Sequence, residues 1–536
     1  MERELCRIFM REEKLFEKII VVLTLVAITL VLVNDVIFGG ITYVCKKDFL
    51  LSNAVLVIAV IAAGVGARNC KRSNDSGEVF SIKLRWILAI LFVVQIVISY
   101  EILFTTNTWD VARILNSAEA LAIGDASGVD SYYFSCYPNN QFLLMYFTYV
   151  FKLLTAFNVY DLEHRLLFLV IIQCGLSTAT AGLVYKIVED ELKASGKSEV
   201  VSKRYALTSL GIYIFLIGLS GFNVVTYTDM MALIFPITAL RVYQLIGTCE
   251  NLYKEIGLYV ALGAICYFGY KMKPTVIIVL IAIMLMELVA FVRTVFYRME
   301  DNRLKSVSVK AVGIISIIVG IGLAVVVFGL FRNNLNIQTD PEQNTGVLHM
   351  LMMGLNEEND GVCTMEDIGY SLSFNNRADR TEGQIRVIKD RLSDYGVIGF
   401  LRHTSRKALV VFNDGTFGYG DEAGFFDVRF NRGGKVASFL QLVYNPETGI
   451  FKLLSTILQL IWIMILLLAA YFCFFTIQRK ESLSKIETII LLSILGIIIF
   501  DLLFEARARY VLLYVPFFVM ASAIGLGCLL ERGNSK

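Results

Sequence analysis

The residues of this chain that could do chemistry lie directly beside long apolar runs. Asp110 follows one such run, in the stretch Trp109 to Arg113. A carboxylate at the edge of a hydrocarbon layer, with aromatic residues nearby, can act as a base on a hydroxyl group. Asp110 is therefore our candidate catalytic residue. The alternative is that Asp110 only caps a helix or lies at an interface, because aspartate is a common helix cap.

Two lysines interrupt a second apolar run, in the stretch Lys271 to Thr275. Charge at membrane depth is costly and normally functional, so Lys271 and Lys273 are candidates for binding the phosphate group of a lipid carrier. The alternative is a hairpin turn whose lysine side chains extend to the membrane surface. Both interpretations place a turn between two apolar helices at this point.

A third polar stretch, Glu505 to Tyr510, separates the last two apolar runs. The planar guanidinium groups of Arg507 and Arg509 match the geometry of phosphate oxygens, so we predict that they bind the same phosphate. Glu505 and Tyr510 are candidates for contacts with a sugar, and Glu505 is also a candidate for orienting an arginine. The alternative is a solvated turn that contains an internal salt bridge.

Further candidate substrate contacts lie in two other turns. Asp229 opens an apolar run and could hold a sugar hydroxyl, pair with one of the two lysines, or only cap its helix. Tyr137, Asn139 and Asn140 end an aromatic-rich run, which is also compatible with an ordinary turn into the next helix. Weaker candidates, near a turn signal, are Asp414, Asp421 and Glu422.

The composition indicates the class of protein to which these residues belong. Of 536 residues, 56% are hydrophobic and 18% are charged, and the mean hydropathy is +0.65. A soluble domain of this length does not need so much apolar surface, so we predict an integral protein of the lipid bilayer. The net charge of +2 gives no indication of a nucleic-acid partner.

The apolar runs predict an all-α polytopic membrane protein. The segment Gln141 to Phe157 is the shortest and contains Lys152, so we predict a re-entrant or interfacial helix there and about twelve transmembrane helices elsewhere. By the criterion of about 20 apolar residues, the thirteen segments are residues 19–38, 50–67, 84–104, 141–157, 166–187, 204–222, 227–246, 256–270, 274–293, 311–331, 452–476, 485–503 and 509–529.

Clusters of Lys and Arg orient the predicted spans, because basic loops tend to stay in the cytoplasm. Both termini are then cytoplasmic, and the turns that carry the candidate residues share the extracellular face of the cell membrane. The five basic stretches that we expect on the cytoplasmic side are residues 3–18, 68–85, 186–204, 293–310 and 479–485.

The same pattern divides the chain into four regions. The longest polar region is predicted to be partly helical, because Ile385, Ile388, Leu392 and Val397 recur with near-helical spacing in the stretch Glu382 to Leu401. The regions are a cytoplasmic start with two additional spans (1–83), a transmembrane core whose first large external loop is 105–140 (84–331), an external segment (332–450) and C-terminal transmembrane helices (451–536).

Several signatures of other enzyme classes are missing from the sequence. It contains no P-loop, no G-x-G-x-x-G after a strand and no H-E-x-x-H, which disfavours an ATP-driven machine. Only three histidines and no C-x-x-C pair occur, so we predict no histidine metal site, no structural zinc and no cofactor.

Together these stretches resemble the bacterial membrane glycosyltransferases of the GT-C superfamily, which includes protein O-mannosyltransferases and aminoarabinose transferases. The resemblance covers most of the chain from about Leu84 to Leu530, and the run from Tyr137 to Asn140 is similar to that of Gram-positive members. Further similarity lies in His349 to Leu355, in Gly361 and Asp367, and in Arg507 to Tyr510 before Pro516.

This resemblance implies an inverting, metal-independent transfer of a sugar from a polyprenyl-phosphate donor. The acceptor would be a cell-wall glycan, a lipid or a protein outside the cytoplasm. Asp110 would deprotonate the acceptor hydroxyl, because it resembles the aspartate proposed as the base in that group. The external loop lacks a D-x-D or E-x-D pair, which disfavours metal-dependent oligosaccharyl transfer. The side chains expected to stabilise the leaving phosphate are Lys271, Lys273, Arg507 and Arg509.

Two other classes of function stay open at this point. A lipid-linked glycan polymerase or ligase would also have a large external loop with arginines. A non-enzymatic transporter of polysaccharide or lipid would also have many spans, but it typically has charged residues near mid-membrane and repeat symmetry between its halves. Here the candidate charges gather at one face and no repeat is visible, which favours an enzyme.

Overall fold

The computed structural model describes residues 2–38, 52–59, 83–105, 109–297, 303–419, 428–430, 432–479 and 482–531. Within these residues the chain is almost entirely helical, so the predicted all-α class is confirmed. Two strands of two residues each, β1 (Phe104–Thr105) and β2 (Val428–Arg429), pair in antiparallel orientation. The predicted apolar segment 50–67 is described only over residues 52–59, and Asp421 and Glu422 lie outside the described residues.

Long apolar helices make up most of the first 333 residues. Where turns join them, side-chain caps such as Asp161, Ser198 and Asn251 accept hydrogen bonds from the first backbone amides of the helix that follows. The helices are α1 (Glu2–Phe38), α2 (52–59), α3 (Leu84–Glu101), α4 (Trp109–Ala122), α5 (Ser131–Cys136), α6 (Gln141–Ala156), α7 (Leu162–Ala194), α8 (Glu199–Tyr213), α9 (Thr228–Ala232), α10 (Ile234–Ile246), α11 (Leu252–Met272), α12 (Ile277–Tyr297) and α13 (Arg303–Asn333).

Shorter helices and one long broken helix follow, before the chain returns to long apolar helices. The helices of this half are α14 (Gly346–Gly354), α15 (Met365–Leu372), α16 (Arg377–Phe412), α17 (Lys435–Tyr444), α18 (Gly449–Arg479), α19 (Lys485–Leu503), α20 (Ala508–Val511) and α21 (Val515–Glu531).

Nine helical segments among the described residues are long and apolar enough to cross a membrane. Each of them overlaps a segment that the sequence predicts, and Val515–Leu529 is a shorter apolar helix. The nine candidate spans are Leu15–Ile37, Leu84–Glu101, Leu162–Ala194, Glu199–Gly218, Thr228–Ile246, Pro274–Val292, Ala311–Asn333, Gly449–Gln478 and Lys485–Leu503.

The predicted re-entrant or interfacial segment forms α6. Its 16 residues give a helix about 24 Å long, shorter than the roughly 30 Å of hydrocarbon in a bilayer. Phe147 and Phe151 on this helix are fully buried, and Lys152 is only half-buried, with its ammonium group over the ring of Tyr149. The helix therefore packs against the protein along one face and presents its lysine on another.

Glycines allow two of the long helices to approach each other closely. Gly263 of α11 lies against the backbone of Ile317, and Gly320 of α13 lies against the backbone of Val260, so that a Cβ atom at either glycine would overlap a carbonyl group. Small residues at such positions let apolar helices pack backbone to backbone, which compensates for the weak hydrophobic driving force between helices in lipid.

The long helix α16 covers the predicted helical stretch Glu382 to Leu401 and extends beyond it at both ends. Of the regularly spaced apolar residues, Ile388 is buried, and Ile385, Leu392 and Val397 are 37%, 44% and 78% exposed. The helix breaks at Gly396, where the backbone takes φ 51° and ψ −171° and the two halves change direction. The buried face of the first half includes Arg380 and Gln384, which donate hydrogen bonds to the backbone carbonyls of Ser371 and Thr345.

Candidate active site

Asp110 lies in the first turn of α4, where the positive end of the helix dipole favours a carboxylate. Its side chain is half-buried, and the hydroxyl of Tyr227 donates a hydrogen bond of 3.0 Å to its Oδ2 atom. The preceding residue, Trp109, has φ 69°, a left-handed conformation that bulky residues rarely adopt. Such local backbone strain often accompanies functional sites. Asp110 is therefore held by a specific partner at a strained turn.

The aromatic run before α6 forms one wall beside Asp110. Burial and the negative charge of Asp110 raise the pKa of the Tyr133 phenol well above its ordinary value, so Tyr133 stays protonated. The Asn140 amide donates a hydrogen bond of 2.5 Å to the Tyr133 hydroxyl, and the exposed Asn139 amide donates to the Asn140 side-chain oxygen at 3.1 Å. The ring of Tyr137 lies 5.3 Å from that of Tyr133. This wall therefore offers neutral hydrogen-bonding groups.

Asp229 joins two cations from other parts of the chain. It forms an ion pair with the Lys273 ammonium, and its Oδ2 atom lies 3.1 Å from Nη1 of Arg509. The three residues are only 3%, 6% and 6% exposed, so water screens their charges weakly. Asp229 therefore pairs with a lysine, which is one of the alternatives predicted for it. The same carboxylate holds two of the predicted phosphate-binding cations, Lys273 and Arg509, next to each other.

Aromatic rings connect this charged cluster to Asp110. The Arg509 guanidinium lies over the rings of Trp109 and Tyr227, at 4.7 and 5.2 Å from their centroids. The Lys273 ammonium lies 4.8 Å from the centroid of Tyr510. Ring faces attract cations, most strongly where water is excluded. Tyr227 thus contacts the candidate base through its hydroxyl and the cationic cluster through its ring.

Glu505 is buried and orients its neighbours, as one of the sequence alternatives predicts. The Tyr510 hydroxyl donates a hydrogen bond of 2.7 Å to one oxygen, and Nε of Arg507 lies 3.4 Å from the other. Burial and the charge of Glu505 raise the pKa of the Tyr510 phenol well above its ordinary value. The internal salt bridge of the alternative prediction is therefore present, but its carboxylate is not solvated, because Glu505 is only 6% exposed.

Asp110 and Glu505 both lie near Tyr137 and Cys363. Burial raises the pKa of the Tyr137 phenol most, and the charges of both carboxylates raise it further. Burial and the same two carboxylates raise the pKa of the Cys363 thiol to about 12, and the nearby Arg507 opposes them. The two carboxylates therefore act on the same two neighbours, and Arg507 acts on one of them.

Lys407 supports the turn that carries Glu505, Arg507 and Arg509. Its ammonium donates hydrogen bonds to the carbonyl oxygens of Gly354 and Phe504, at 2.8 and 2.5 Å. The side chain is fully buried, and burial lowers its pKa to about 7. The amide of Ala506 also donates to the Gly361 carbonyl oxygen at 2.8 Å. The segment around residues 354–361 is thus attached to the site turn at several points.

His349 also borders the site. Its ring lies 6.4 Å from that of Tyr137, and its Nδ1 atom is 2.9 Å from the Ser371 hydroxyl. Burial lowers the pKa of His349, so the imidazole is neutral at pH 7. It is therefore suited to a hydrogen bond and not to supplying positive charge.

Lys271 lies apart from this cluster. Its ammonium group is over the rings of Tyr267 and Phe328, at 5.7 and 5.0 Å from their centroids. Burial and the positive charge of Arg332 lower its pKa. The chain leaves α11 at Lys273 in an extended conformation, and the Lys273 ammonium pairs with Asp229 while the Lys271 ammonium lies over two aromatic rings. The two lysines thus have no common contact among the described residues, and their binding of one phosphate stays a prediction.

The structure brings together most of the predicted site residues. Sequence reasoning missed Trp109, Tyr133, Tyr227 and Lys407 as participants, although three of them are aromatic residues next to or near a candidate carboxylate. Within the described part of the chain, no three His, Cys, Asp or Glu side chains are grouped as ligands of a metal ion. The predicted residues that meet here are Asp110, Tyr137, Asn139, Asn140, Asp229, Lys273, Glu505, Arg507, Arg509 and Tyr510.

Comparison with known proteins gives a family and one distant structural likeness. A family model described as "Conserved hypothetical integral membrane protein" matches residues 8–527. Among solved structures, the chain is similar to the arabinosyltransferase EmbB from Mycobacterium smegmatis, with 13% identity and a TM-score of 0.28. That likeness covers 89% of this chain and 45% of the arabinosyltransferase, so the chain spans less than half of its length. No curated protein matches the sequence.

Proposed function

The chain belongs to this family of conserved integral membrane proteins, and we propose that it is a glycosyltransferase that uses a polyprenyl-phosphate sugar. The observation that supports this proposal is the meeting of a half-buried carboxylate, Asp110, with a buried basic cluster and an aromatic wall. These groups come from turns between apolar helices, where a lipid-linked substrate and a polar acceptor can meet. The resemblance of the same stretches to GT-C enzymes supports the same assignment.

Asp110 is the proposed base in this reaction. It takes the proton of an acceptor hydroxyl, the hydroxyl oxygen forms a bond to the anomeric carbon, and the bond from that carbon to the donor phosphate oxygen breaks. The attack comes from the side opposite the phosphate, so the configuration inverts. Tyr227 holds the carboxylate in position through its 3.0 Å hydrogen bond. A positioned general base contributes about 10²–10⁴-fold to rate in other enzymes.

The leaving phosphate is assigned to the cations at the site. Lys273 and Arg509 share the single charge of Asp229, so these three residues retain net positive charge. Arg507 is partly exposed and only 3.4 Å from Glu505, which orients it. Fixed positive charge in a water-poor site stabilises a developing phosphate charge without reorganisation during the reaction. Lys271 lies outside this cluster, near Arg332, and stays a predicted phosphate contact only.

The neutral groups of the aromatic wall are the proposed sugar contacts. Tyr137, Asn139 and Asn140 offer hydroxyl and amide groups, and Tyr510 and Glu505 offer a second set. The acceptor is a glycan, lipid or protein on the extracellular side of the cell membrane, in the cell envelope. A lipid-linked glycan polymerase or ligase would use the same base and phosphate contacts with a longer donor.

A transporter is the second candidate function, because two of the carboxylates inside candidate spans are fully buried without a bound partner among the described residues. Asp35 of α1 and Asp501 of α19 are fully buried, and neither carboxylate has a hydrogen-bond partner among the described residues. Ionisable residues within membrane spans often mark ion or proton paths. Uptake of labelled lipid-linked sugar into proteoliposomes that is insensitive to Asp110→Asn but abolished by Asp501→Asn would favour this candidate.

The proposed function is tested by transfer from a panel of radiolabelled polyprenyl-phosphate sugars to envelope acceptors, with the purified protein in lipid nanodiscs. One donor should support turnover. Arg507→Gln should then raise KM or lower kcat/KM roughly ten- to a hundredfold, since a hydrogen bond to a charged group is worth about 1.5–3 kcal/mol. The matched control is Arg386→Gln, because Arg386 is an exposed residue of α16 that pairs only with Glu382 among the described residues. No turnover with any donor by folded protein would contradict the proposal.

A further inference from the structure

The second half of α16, which begins at Val397, carries an exposed apolar face. Val397, Ile398 and Leu401 are 78%, 76% and 61% exposed. Their spacing places them within one arc of a helix, and Arg402 lies exposed at the edge of that arc. Three large apolar side chains together in water would be unfavourable, so this face needs a partner.

The position of this face relative to the membrane follows from the next turn of the helix. Ser405 exchanges two hydrogen bonds with Asn34 of α1: Asn34 donates to the Ser405 carbonyl at 2.7 Å, and the Ser405 hydroxyl donates to the Asn34 side chain at 2.5 Å. From Leu15, where the candidate span begins, to Asn34, α1 rises about 28 Å at ~1.5 Å per residue. This is close to the roughly 30 Å thickness of the hydrocarbon layer. Ser405 therefore lies at the membrane boundary.

The lipid-facing surface of α1 reaches the same level. Leu30, Val33 and Ile37 are 64%, 44% and 57% exposed and lie within the last two turns of that span. Leu401 is one helical turn before Ser405, so it lies within about 6 Å of this level along the axis of α16. Arg402, at its edge, can extend its charged group toward lipid phosphates while its stem stays in the apolar layer.

We propose that Val397, Ile398 and Leu401 are immersed in the bilayer leaflet on the side of the active site, so that the second half of α16 is an interfacial helix. The opposite face of the same half carries His403 and Lys407, which bind the Gly354 carbonyl behind the site turn. One helix therefore contacts lipid on one side and supports the active site on the other. It sets the height of the site relative to the lipid surface, independently of which substrate the site uses.

The test is photo-crosslinking of the full-length protein in nanodiscs, with p-benzoylphenylalanine at position 398 or, as a matched control, at position 385. Both are isoleucines of α16, on opposite sides of the break at Gly396, and both side chains reach solvent in the structure. Irradiation at position 398 should give adducts with phospholipid, detected by mass spectrometry, and position 385 should give none above background.

Three results would overturn the proposal. Crosslinks from position 398 to a second copy of the chain would show a protein interface there. Crosslinks to another segment of the same chain would show an internal cover. Equal absence of lipid adducts at positions 398 and 385, in protein that retains its thermal unfolding transition, would show that this face is in water.

Discussion

Asp110 and Asp229 are both aspartates in the first turns of helices, but their neighbours give them different roles. Asp229 is 3% exposed and binds two cations, so its charge is already used to hold Lys273 and Arg509 together. Asp110 is half-buried, accepts a hydrogen bond from Tyr227 and forms no ion pair among the described residues. Asp110 is consequently the better candidate for proton transfer.

The ion-pair cluster around Asp229 predicts strong coupling between residues. Asp229→Asn leaves two buried cations without their counter-charge, so it should destabilise the protein by about 3–5 kcal/mol. Adding Lys273→Met removes one of these cations and should restore part of the lost stability. Thermal unfolding in nanodiscs of the two single variants and the double variant measures this coupling. Additive losses would show that the pair is not coupled.

At the residue scale, the sequence was most informative where charge interrupted an apolar run. The positions of Asp110, Lys273, Arg507 and Arg509 were predictable for that reason. Tyr227 and Trp109 were not, because aromatic residues beside a membrane are common, and only the fold shows that their rings lie under Arg509. Lys271 is only two positions from Lys273, but its ammonium lies over the rings of Tyr267 and Phe328 while that of Lys273 pairs with Asp229, which spacing alone does not show.

At the scale of elements, the close contact between the end of α14 and the turn after α19 carries a specific prediction. A Cβ atom at Gly354 would overlap the backbone of Leu503 and Phe504, which cannot move as a flexible side chain could. Gly354→Ala should therefore destabilise the protein by about 1–3 kcal/mol and reduce transfer by displacing Glu505 and Arg507. Gly369→Ala, in the open surroundings of α15, is the control: it should leave transfer unchanged and stabilise the protein by up to about 1 kcal/mol, because alanine favours a helix more than glycine does. Equal effects of both substitutions would contradict this account.

The lowered pKa of Lys407 predicts that the stability of the fold depends on pH. Its pKa in the folded chain is about 7, below the ordinary lysine value of 10.5, so unfolding takes up a proton between these two pH values. The contribution of Lys407 to folding stability should accordingly increase as the pH rises from 7 toward 10. Melting temperatures at pH 7 and pH 9 measure this effect, and Lys407→Met, which cannot titrate, should show a smaller increase than the wild type. The same increase in both proteins would exclude Lys407 as its source.

The elements themselves were predictable to different degrees. Long apolar helices were predicted because a membrane span needs about 20 consecutive apolar residues. This pattern is visible in the sequence however the helices pack against each other. The apolar spacing within residues 382–401 predicted a helix, and α16 covers that stretch, but spacing alone does not reveal the break at Gly396 or the buried Arg380. Local pattern is a weaker guide where a long helix changes direction and buries polar as well as apolar residues.

At the scale of the whole molecule, the helices place the site where turns from distant parts of the chain converge. Asp110, Tyr227, Lys273 and Arg509 are separated by as many as 399 positions, from residue 110 to residue 509, yet they form one contact network. Composition alone predicted the membrane class, but it did not predict this contact network. The meeting of the turns depends on helix packing, such as the close approach at Gly263 and Gly320, which composition does not show.

The central claim is that Asp110 is the base of a glycosyl transfer. The most direct test measures transfer from the accepted polyprenyl-phosphate sugar by wild type, Asp110→Asn and Asp125→Asn in nanodiscs. Asp125 is an exposed aspartate of the same loop that accepts hydrogen bonds from Ser127 and Gly128 of its own turn, so its substitution controls for loss of charge. We predict that Asp110→Asn lowers kcat by about 10²–10⁴-fold with an unchanged melting temperature, and that Asp125→Asn retains full activity. Full transfer by folded Asp110→Asn protein would contradict the account.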